Sequence, residues 1–190
     1  MKQFEIESDA FKNQAAIPIR FTFQGTSSSP ELRWSGVPEG TREFALICED
    51  HDVPTPKSIV HWLVYGIDPS VTELPENLPK KKILSSPLNV RQGLNSFFFS
   101  GYLGPNPGFW DSAHHYRFRL FALRDPIDLV PRAGRTEFYK AIDGKVIDVA
   151  EVVGTYEKTI PQRIRAGAFW VVLLGGAIVF ANRILGIATP

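Results

Sequence analysis

The stretch YRFRLFAL, which begins at Tyr116, alternates apolar and basic side chains more regularly than other parts of the sequence. Successive side chains of a β-strand point to opposite faces of the sheet. Tyr116, Phe118 and Leu120 therefore share one face of a predicted strand, and Arg117 and Arg119 share the other. The pattern predicts a strand that turns Phe118 and Leu120 toward a core.

Three further apolar runs also predict strands. Residues 43–50 (EFALICED) alternate, residues 58–67 (SIVHWLVYGI) are apolar nearly throughout, and residues 17–23 (IPIRFTF) alternate imperfectly. An apolar run without alternation is expected for a central strand that is covered on both faces. Fifteen glycines and fifteen prolines separate the apolar runs, which is typical of a chain with many short strands.

Helical signals are sparse. Residues 135–142 (RTEFYKAI) predict a short helix that ends before Gly144, because glycine readily adopts the backbone conformation found after helices. Residues 145–156 fit either a strand or a helix. The sequence therefore predicts a mainly β domain with short peripheral helices.

Charge and cysteine content narrow the classes of function. The 190 residues include 21 Lys and Arg and 20 Asp and Glu, which gives a net charge of +1. A protein that binds nucleic acid would instead show a strongly basic patch or stripe, so nucleic acid is not an expected partner. Cys48 is the single cysteine, which excludes an intramolecular disulfide, and its apolar neighbours predict a buried, inert thiol.

The two ends of the sequence differ in character. Residues 1–10 lack the apolar run of a signal peptide, which predicts a cytoplasmic location. Residues 166–181 (AGAFWVVLLGGAIVFA) carry no charge, and as a helix they would be roughly 24 Å long, near the lower limit for crossing a bilayer. We therefore divide the chain into a domain of residues 1–158 and a hydrophobic extension of residues 159–190. Residues 166–188 are expected to form a helix that either anchors the chain in a membrane or packs in a homodimer interface.

Two of the four histidines, His114 and His115, are adjacent at the start of the alternating stretch. Strand geometry places His114 on the face of Tyr116, and it places His115 on the opposite face with Arg117. His114 and Tyr116 would then form a polar rim at the end of an apolar face. A turn histidine that is hydrogen-bonded to backbone is the alternative explanation for His114.

A second polar cluster, the sequence EDHD, ends the strand predicted for residues 43–50 and contains Asp50 and Asp52. Carboxylates in such a position often cap a turn by accepting backbone N–H groups. Asp50 could instead hold a ligand or orient a histidine. His61 lies among apolar neighbours on the next predicted strand, where it is either a core residue or part of a site.

Taken together, these segments resemble the phosphatidylethanolamine-binding protein (PEBP) family, most closely its bacterial Raf-kinase-inhibitor-like branch. The resemblance lies in ALICEDHDVP, SIVHWLVYGI, GYLGPNPG and HHYRFRLFAL. They match an acidic loop followed by a histidine-bearing strand, and a Gly-Pro turn followed by a His-x-Tyr strand. Residues 29–47, 91–95 (RQGLN) and 153–158 (VGTYEK) agree as well, so the similar region covers residues 5–158 in order.

The resemblance implies a large antiparallel β-sheet packed against a smaller one, with a shallow pocket at one end. In this family the pocket holds phosphate-like or carboxylate anions, including a phospholipid head group. The residues implied to bind the ligand are Asp50, Asp52, His61, Gly104, Pro105, His114 and Tyr116. Imidazole, phenol and turn N–H groups would donate to the anion, and Asp50 would orient a histidine and keep it protonated. The resemblance implies no cofactor.

Three positions depart from the family pattern. His51 replaces a proline between the two acidic residues, Gly108 replaces the second proline of a Pro-Pro pair, and His115 replaces an arginine. The segment after Gly108 is aromatic. Its residues Phe109 and Trp110 either form an apolar wall beside the pocket or pack on the pocket rim.

We expect a non-enzymatic protein that binds small phosphate- or carboxylate-bearing ligands, such as a phospholipid head group or a phosphorylated partner, and that modulates a kinase or protease. The alternative is a metal-dependent hydrolase, because histidine and carboxylate are reasonable metal ligands. It would use Asp50, His51, Asp52, His61 and His114. The sequence lacks the HExxH signature of many metalloproteases and the GxSxG motif of serine hydrolases.

Overall fold

The alternating stretch at Tyr116 forms a long inner strand of a seven-stranded sheet in the computed structural model, which describes residues 2–108 and 111–158. The strands described are β1 (Glu5–Glu7), β2 (Ala15–Ala16), β3 (Leu32–Ser35), β4 (Glu43–Asp50), β5 (Ile59–Ile67), β6 (Glu73–Leu74), β7 (Ile83–Leu84), β8 (Val90–Gln92), β9 (His114–Leu123) and β10 (Val146–Tyr156). The described helical elements are a 3-10 turn (Ile19–Phe21) and helix α1 (Arg135–Ile142).

These strands form two sheets. The larger sheet has the order β2-β10-β9-β4-β5-β8-β7, and its neighbours are antiparallel apart from the parallel pair β2 and β10. The smaller sheet contains β1, β3 and β6 in antiparallel pairing. Apolar residues of both sheets share one core, in which Phe4 and Trp34 pack against Phe44. The predicted mainly β fold with an antiparallel sandwich is confirmed.

Strand β4 shows how the larger sheet is buried on both sides. Phe44 and Leu46 face the core between the two sheets, whereas Ala45 and Ile47 face a second core. Helix α1 covers this second face with Phe138. The alternation along a single strand therefore supplies side chains to two apolar cores, and β5 is buried along most of its length in the same way.

The strand predicted for residues 17–23 is wrong. Ala15–Ala16 form β2, and Ile19–Phe21 form the 3-10 turn instead. Pro18 has no N–H for a sheet hydrogen bond, and its carbonyl oxygen accepts the Phe21 N–H at 2.9 Å, which closes the turn. The turn still buries Phe21, so the apolar residue reaches the core without a strand.

Helix α1 has the predicted bounds, and Gly144 follows it with a φ of +70°, a left-handed conformation that suits glycine. Residues 145–156, which fit either type of element, contain β10. Strand β10 pairs with β9 from Val146 opposite Leu123 to Tyr156 opposite His114. Pairing with a strand distant in sequence decides the outcome, because strand formation depends on its neighbours more than on local preference.

Cys48 is fully buried in the core between the sheets. Burial raises the pKa of its thiol well above the ordinary value, and the carboxylates of Glu49 and Asp50 add to the rise. A thiol that stays protonated is a poor nucleophile, in agreement with the predicted inert cysteine.

Two predictions fall outside the described residues. They concern the hydrophobic extension of residues 159–190, including the helix expected at 166–188, and the aromatic pair Phe109 and Trp110. Within residues 2–108 and 111–158, the structure contains no helix with the length and apolar character needed to span a membrane.

Candidate functional site

The candidate site lies at one end of the larger sheet, where β4 ends and β9 begins. Asp50 is the last residue of β4 and is the register partner of Tyr116, and His114 is the first residue of β9. His61 on β5 packs edge-on against the ring of Tyr116, with 5.0 Å between the ring centroids. Three strands therefore bring four of the predicted site residues together.

Asp50 fixes the orientation of His114. The Nδ1 atom of His114 lies 2.7 Å from Oδ2 of Asp50, and both side chains are at most 5% exposed. The other Asp50 oxygen accepts the backbone N–H of Asp52 at 2.9 Å. Because both carboxylate oxygens are engaged, the imidazole is held in one orientation with Nε2 directed away from Asp50. This geometry is the one that an orienting role for Asp50 requires.

His61 presents an acceptor to the site, which differs from the donor expected for an anion pocket. Its Nδ1 donates to the Leu103 carbonyl oxygen at 2.7 Å, and its buried Nε2 has no hydrogen-bond partner among the described residues. Burial lowers the pKa of His61 below its ordinary 6.5, although the Leu103 carbonyl and the Asp50 carboxylate act in the opposite direction. The ring is therefore neutral near pH 7, and Nε2 carries a lone pair.

Tyr116 presents the complementary donor. Its hydroxyl is buried and, in the part of the chain that the structure describes, completes no hydrogen bond. Burial raises the pKa of Tyr116 far above the ordinary value, and the Asp50 carboxylate raises it further. The backbone N–H of Asn106 opposes this rise without reaching hydrogen-bond geometry. The phenol therefore keeps its proton and can donate it to a ligand oxygen.

The Gly-Pro turn has a structural role that the sequence did not indicate. The N–H of Gly104 donates to the Ser27 hydroxyl at 2.7 Å, and the Pro105 carbonyl accepts the Phe23 N–H at 2.9 Å. A Cβ on residue 104 would lie 2.6 Å from the Phe21 carbonyl oxygen, so only glycine fits there. The turn holds the preceding segment against the site, and the Gly104 N–H is not free for an anion.

Asp52 is paired with His115 instead of with the buried histidines. One Asp52 oxygen accepts both the backbone N–H and the Nδ1–H of His115, each at 2.7 Å. Partial burial alone would raise the pKa of Asp52, but the two hydrogen bonds from His115 outweigh it and lower the pKa. His115 is half-exposed whereas His114 is buried, so the predicted opposite orientation of the two histidines is correct. Asp52 lies at the rim of the site.

A further carboxylate, Asp111, was not among the predicted site residues. Its Oδ2 lies 3.4 Å from Nε2 of His114 and accepts the backbone N–H of Gly108 at 2.6 Å. Asp111 and Asp52 both contribute to a cleft of about 380 Å³, which is lined by Asp52, Pro54, Asp111, Ser112, Ala113, His114 and His115. The signal in the sequence is an aspartate three residues before the buried histidine, at the turn that leads into β9.

The five residues of the metal-hydrolase alternative do not all converge, because His51 and Asp52 are directed elsewhere. Nε2 of His51 lies 3.8 Å from Glu49 Oε2, on the other face of the sheet, and Asp52 is paired with His115. Across the described ranges, no three side chains of His, Cys, Asp or Glu are arranged to hold a metal ion. The geometry gives no support to metal-dependent hydrolysis.

Comparison with known proteins agrees with the fold. The sequence profile described as phosphatidylethanolamine-binding protein matches residues 7–157. The chain belongs to the phosphatidylethanolamine-binding protein family. A UPF0098 protein of Methanothermobacter thermautotrophicus is 38% identical over 153 residues, which cover 80% of this chain and 98% of the relative. A UPF0098 protein of Pyrococcus horikoshii is 37% identical over 151 residues, which cover 80% of this chain and 75% of the relative.

Solved structures of PEBP members share the architecture. The Escherichia coli protein YbcL, described as a member of the mammalian PEBP family, matches with a TM-score of 0.78 and 31% identity. The match covers 83% of this chain and all of YbcL. A PEBP homologue of Chlamydia trachomatis matches with a TM-score of 0.73 and 33% identity, covering 84% of this chain and all of the homologue. Family membership supports a binding protein with the PEBP fold, and the names of these relatives state no enzymatic activity.

Proposed function

We propose that this PEBP member is a non-enzymatic binding protein whose pocket takes a small ligand with a phosphate or carboxylate group. The observation that carries the proposal is the pair of buried polar atoms without hydrogen-bond partners among the described residues, Nε2 of His61 and the hydroxyl of Tyr116. A buried polar group that lacks a partner destabilises a protein by about 1–3 kcal/mol. Two such atoms on adjacent rings are expected where a ligand completes the network.

The chemistry of the two atoms favours an oxyanion that carries a proton. The Tyr116 hydroxyl can donate to one oxygen of the ligand. The lone pair of His61 Nε2 can accept a hydrogen bond from an O–H of the same ligand, as in a hydrogen phosphate group. His114 adds a second imidazole beside them, and its Nε2 becomes a donor when the ring is protonated. An anion that carries no proton fits this pocket when His61 itself takes up a proton.

The ligand phosphate could come from a lipid head group or from a phosphorylated protein partner. A lipid head group presents a phosphodiester and a phosphorylated side chain presents a phosphomonoester. Both carry anionic phosphate oxygens to which the Tyr116 hydroxyl can donate, so the shared phosphate group is the ligand that we propose. Titration with O-phosphoethanolamine and with phosphotyrosine separates the two sources, because only the first carries a short aminoalkyl group and only the second an aromatic ring.

Calorimetric titration with inorganic phosphate, and with acetate for the carboxylate class, tests the pocket itself. We expect His114→Ala to weaken phosphate binding about ten-fold, because a hydrogen bond to a charged group contributes roughly 1.5–3 kcal/mol. His115→Ala is the matched control and should change the affinity little, since this ring points to Asp52 at the rim. The proposal fails if the wild-type protein binds neither anion, or if His115→Ala is the more damaging of the two substitutions.

A further inference from the structure

The carboxylate of Asp111 contacts His114, one of the side chains that the proposed pocket would offer to an anion. Its Oδ2 atom contacts Nε2 of His114 at 3.4 Å and accepts the N–H of Gly108 at 2.6 Å. An imidazole nitrogen and a turn N–H are the kinds of group that surround a bound anion. When the His114 ring is protonated, the protein thus supplies its own oxyanion to two donors at the pocket mouth.

The charges around this contact make the carboxylate an effective competitor. Asp50 faces the other nitrogen of His114 at 2.7 Å, and Asp52 lines the same cleft as Asp111. Lys158 supplies a positive charge close to Asp111, since the carboxylate opposes the fall that burial causes in the pKa of Lys158. An incoming anion would therefore meet a like charge at His114 until Asp111 moves aside.

The Asp111 side chain is able to move aside. It is 39% exposed, whereas the His114 side chain that it contacts is 5% exposed. A partly exposed carboxylate that leaves its donors can regain hydrogen bonds from water, so its displacement is much less costly than the displacement of buried Asp50 would be. The contact is accordingly one that a ligand can exchange for its own.

We propose that Asp111 is an internal competitor that sets the anion affinity and selectivity of the pocket. This inference rests on the proposed function, because it assumes that anions bind at His114. Weakly charged or poorly positioned anions fail to displace the Asp111 carboxylate, and an anion that also contacts Tyr116 and His61 succeeds. Asp111 therefore determines which ligands bind, although it does not belong to the ligand-binding set.

The test compares Asp111→Asn with the wild-type protein in calorimetric titrations with sulfate, an anion that does not titrate between pH 6 and pH 8. Asparagine keeps an oxygen that can accept the Gly108 N–H, so the turn is preserved while the charge is removed. We expect sulfate to bind roughly five-fold more tightly to the variant, the size of effect typical for a partly exposed ion pair. Asp125→Asn makes the same change in net charge beyond the far end of β9, and it should leave the affinity within about two-fold.

A second readout follows the Gly108 amide by NMR during the sulfate titration of the wild-type protein. Its resonance should shift as the Asp111 carboxylate leaves, whereas a purely structural contact would stay in place. Unchanged or weaker sulfate binding in Asp111→Asn, together with a static Gly108 amide, overturns the inference. If His114→Ala still weakens sulfate binding in that case, the proposed pocket stands and only the competitor role is rejected. If neither the wild-type protein nor Asp111→Asn binds sulfate, the competitor role is rejected, and the titrations with phosphate and acetate decide the proposed function separately.

Discussion

Glu49 and Asp50 are neighbours at the end of β4, and their carboxylates point to opposite faces of the larger sheet. The two faces differ in how completely their buried polar atoms are hydrogen-bonded. Glu49 is fully buried, and it accepts hydrogen bonds from the Ser58 hydroxyl at 2.7 Å, Arg135 Nε at 2.6 Å and the Tyr139 hydroxyl at 2.5 Å. Arg119 pairs with the second Glu49 oxygen as well. Both carboxylate oxygens of Glu49 are satisfied, and among the described residues Arg119 Nε is the one buried side-chain atom of this network without a partner. We call this face saturated with respect to its carboxylate.

The face that carries Asp50 and His114 contains buried polar atoms without hydrogen-bond partners among the described residues, and we call it the unsaturated face. Asp50 and His114 satisfy each other, but Nε2 of His61 and the hydroxyl of Tyr116 complete no hydrogen bonds among the described residues. Both faces bury polar groups at the same end of the sheet, so burial alone does not distinguish a site from a structural network. The distinguishing feature is a pair of unpartnered atoms on adjacent rings. In the Glu49 network only Arg119 Nε lacks a partner among the described residues, and its guanidinium already binds Glu49 and Tyr139.

The largest expected effect concerns the saturated face. Glu49→Gln should lower the free energy of unfolding by about 3 kcal/mol, because it removes the negative charge that pairs with Arg119 and Arg135. Urea denaturation measures this loss, and phosphate affinity at a temperature where the variant is folded should stay within about two-fold. A large loss of affinity with little loss of stability would mean that the two faces do not have separate roles.

Asp50→Asn provides the matched substitution on the other face. It should weaken phosphate binding about ten-fold, since His114 loses the charged partner that orients its ring, and it should lower stability less than Glu49→Gln does. Calorimetry and urea denaturation of both variants give the comparison directly. Equal losses of stability in the two variants would show that Asp50 has mainly a structural role.

Tyr116→Phe removes an unpartnered hydroxyl from the unsaturated face. Because this hydroxyl loses its hydrogen bonds to water on folding and gains none from the described residues, its removal should leave the free energy of unfolding unchanged or raise it by about 0.5–1 kcal/mol. Phosphate binding should nevertheless weaken. If Tyr116→Phe instead lowers stability in the absence of ligand, the Tyr116 hydroxyl forms a hydrogen bond in solution.

The smallest effect is a pH dependence that originates in His61. Its pKa is lowered in the folded protein, so the unfolded chain binds more protons in the window between the lowered value and 6.5. The neutral ring therefore contributes stability that is present above pH 6.5 and is lost as the pH falls toward the folded pKa. Denaturation midpoints measured at pH 7.5 and 5.5, in the absence of anions that bind, should show this decline.

His61→Gln, which cannot titrate, is the control for this decline. The pH dependence should become smaller in the variant by the contribution of His61. An undiminished pH dependence in His61→Gln would assign the effect to other groups. The groups that surround the ring are Asp50, His114 and Tyr116.

The sequence predicts the parts of the fold that have strong local signals. Strand β9 was predictable because its apolar residues repeat with the period of a strand, and helix α1 because Gly144 marks its end. The segment at Pro18 was not, since a single proline converted an apparent strand into a 3-10 turn. The face of His114 followed from the alternation of β9. The family resemblance implied that Asp50 orients a histidine, and the structure identifies that histidine as His114.

The protonation and hydrogen bonding of the site residues depend on contacts between distant parts of the chain. The spacing of residues in the sequence does not reveal these contacts. The neutral form of His61 depends on the Leu103 carbonyl, 42 residues away, and the Gly104 N–H is occupied by Ser27, 77 residues away. The saturated network of Glu49 likewise needs Arg135 and Tyr139 from helix α1. Residue types at the site were therefore predictable, but whether each atom donates, accepts or lacks a partner was not.

The first two residues of β9 pair with a neighbouring strand on one side only. On one side His114 and His115 continue the ladder with Tyr156 and Thr155 of β10, while on the other side the register with β4 ends at Asp50 and Tyr116. The side chains of Asp50 and Asp52 bind the two histidines there, and Asp52 accepts the His115 backbone N–H that a longer β4 would have bonded. Strand ends usually fray, and these two carboxylates restrain such motion at the pocket mouth. A ligand would then bind without having to order this strand end, and the conformational entropy lost on association would be correspondingly small.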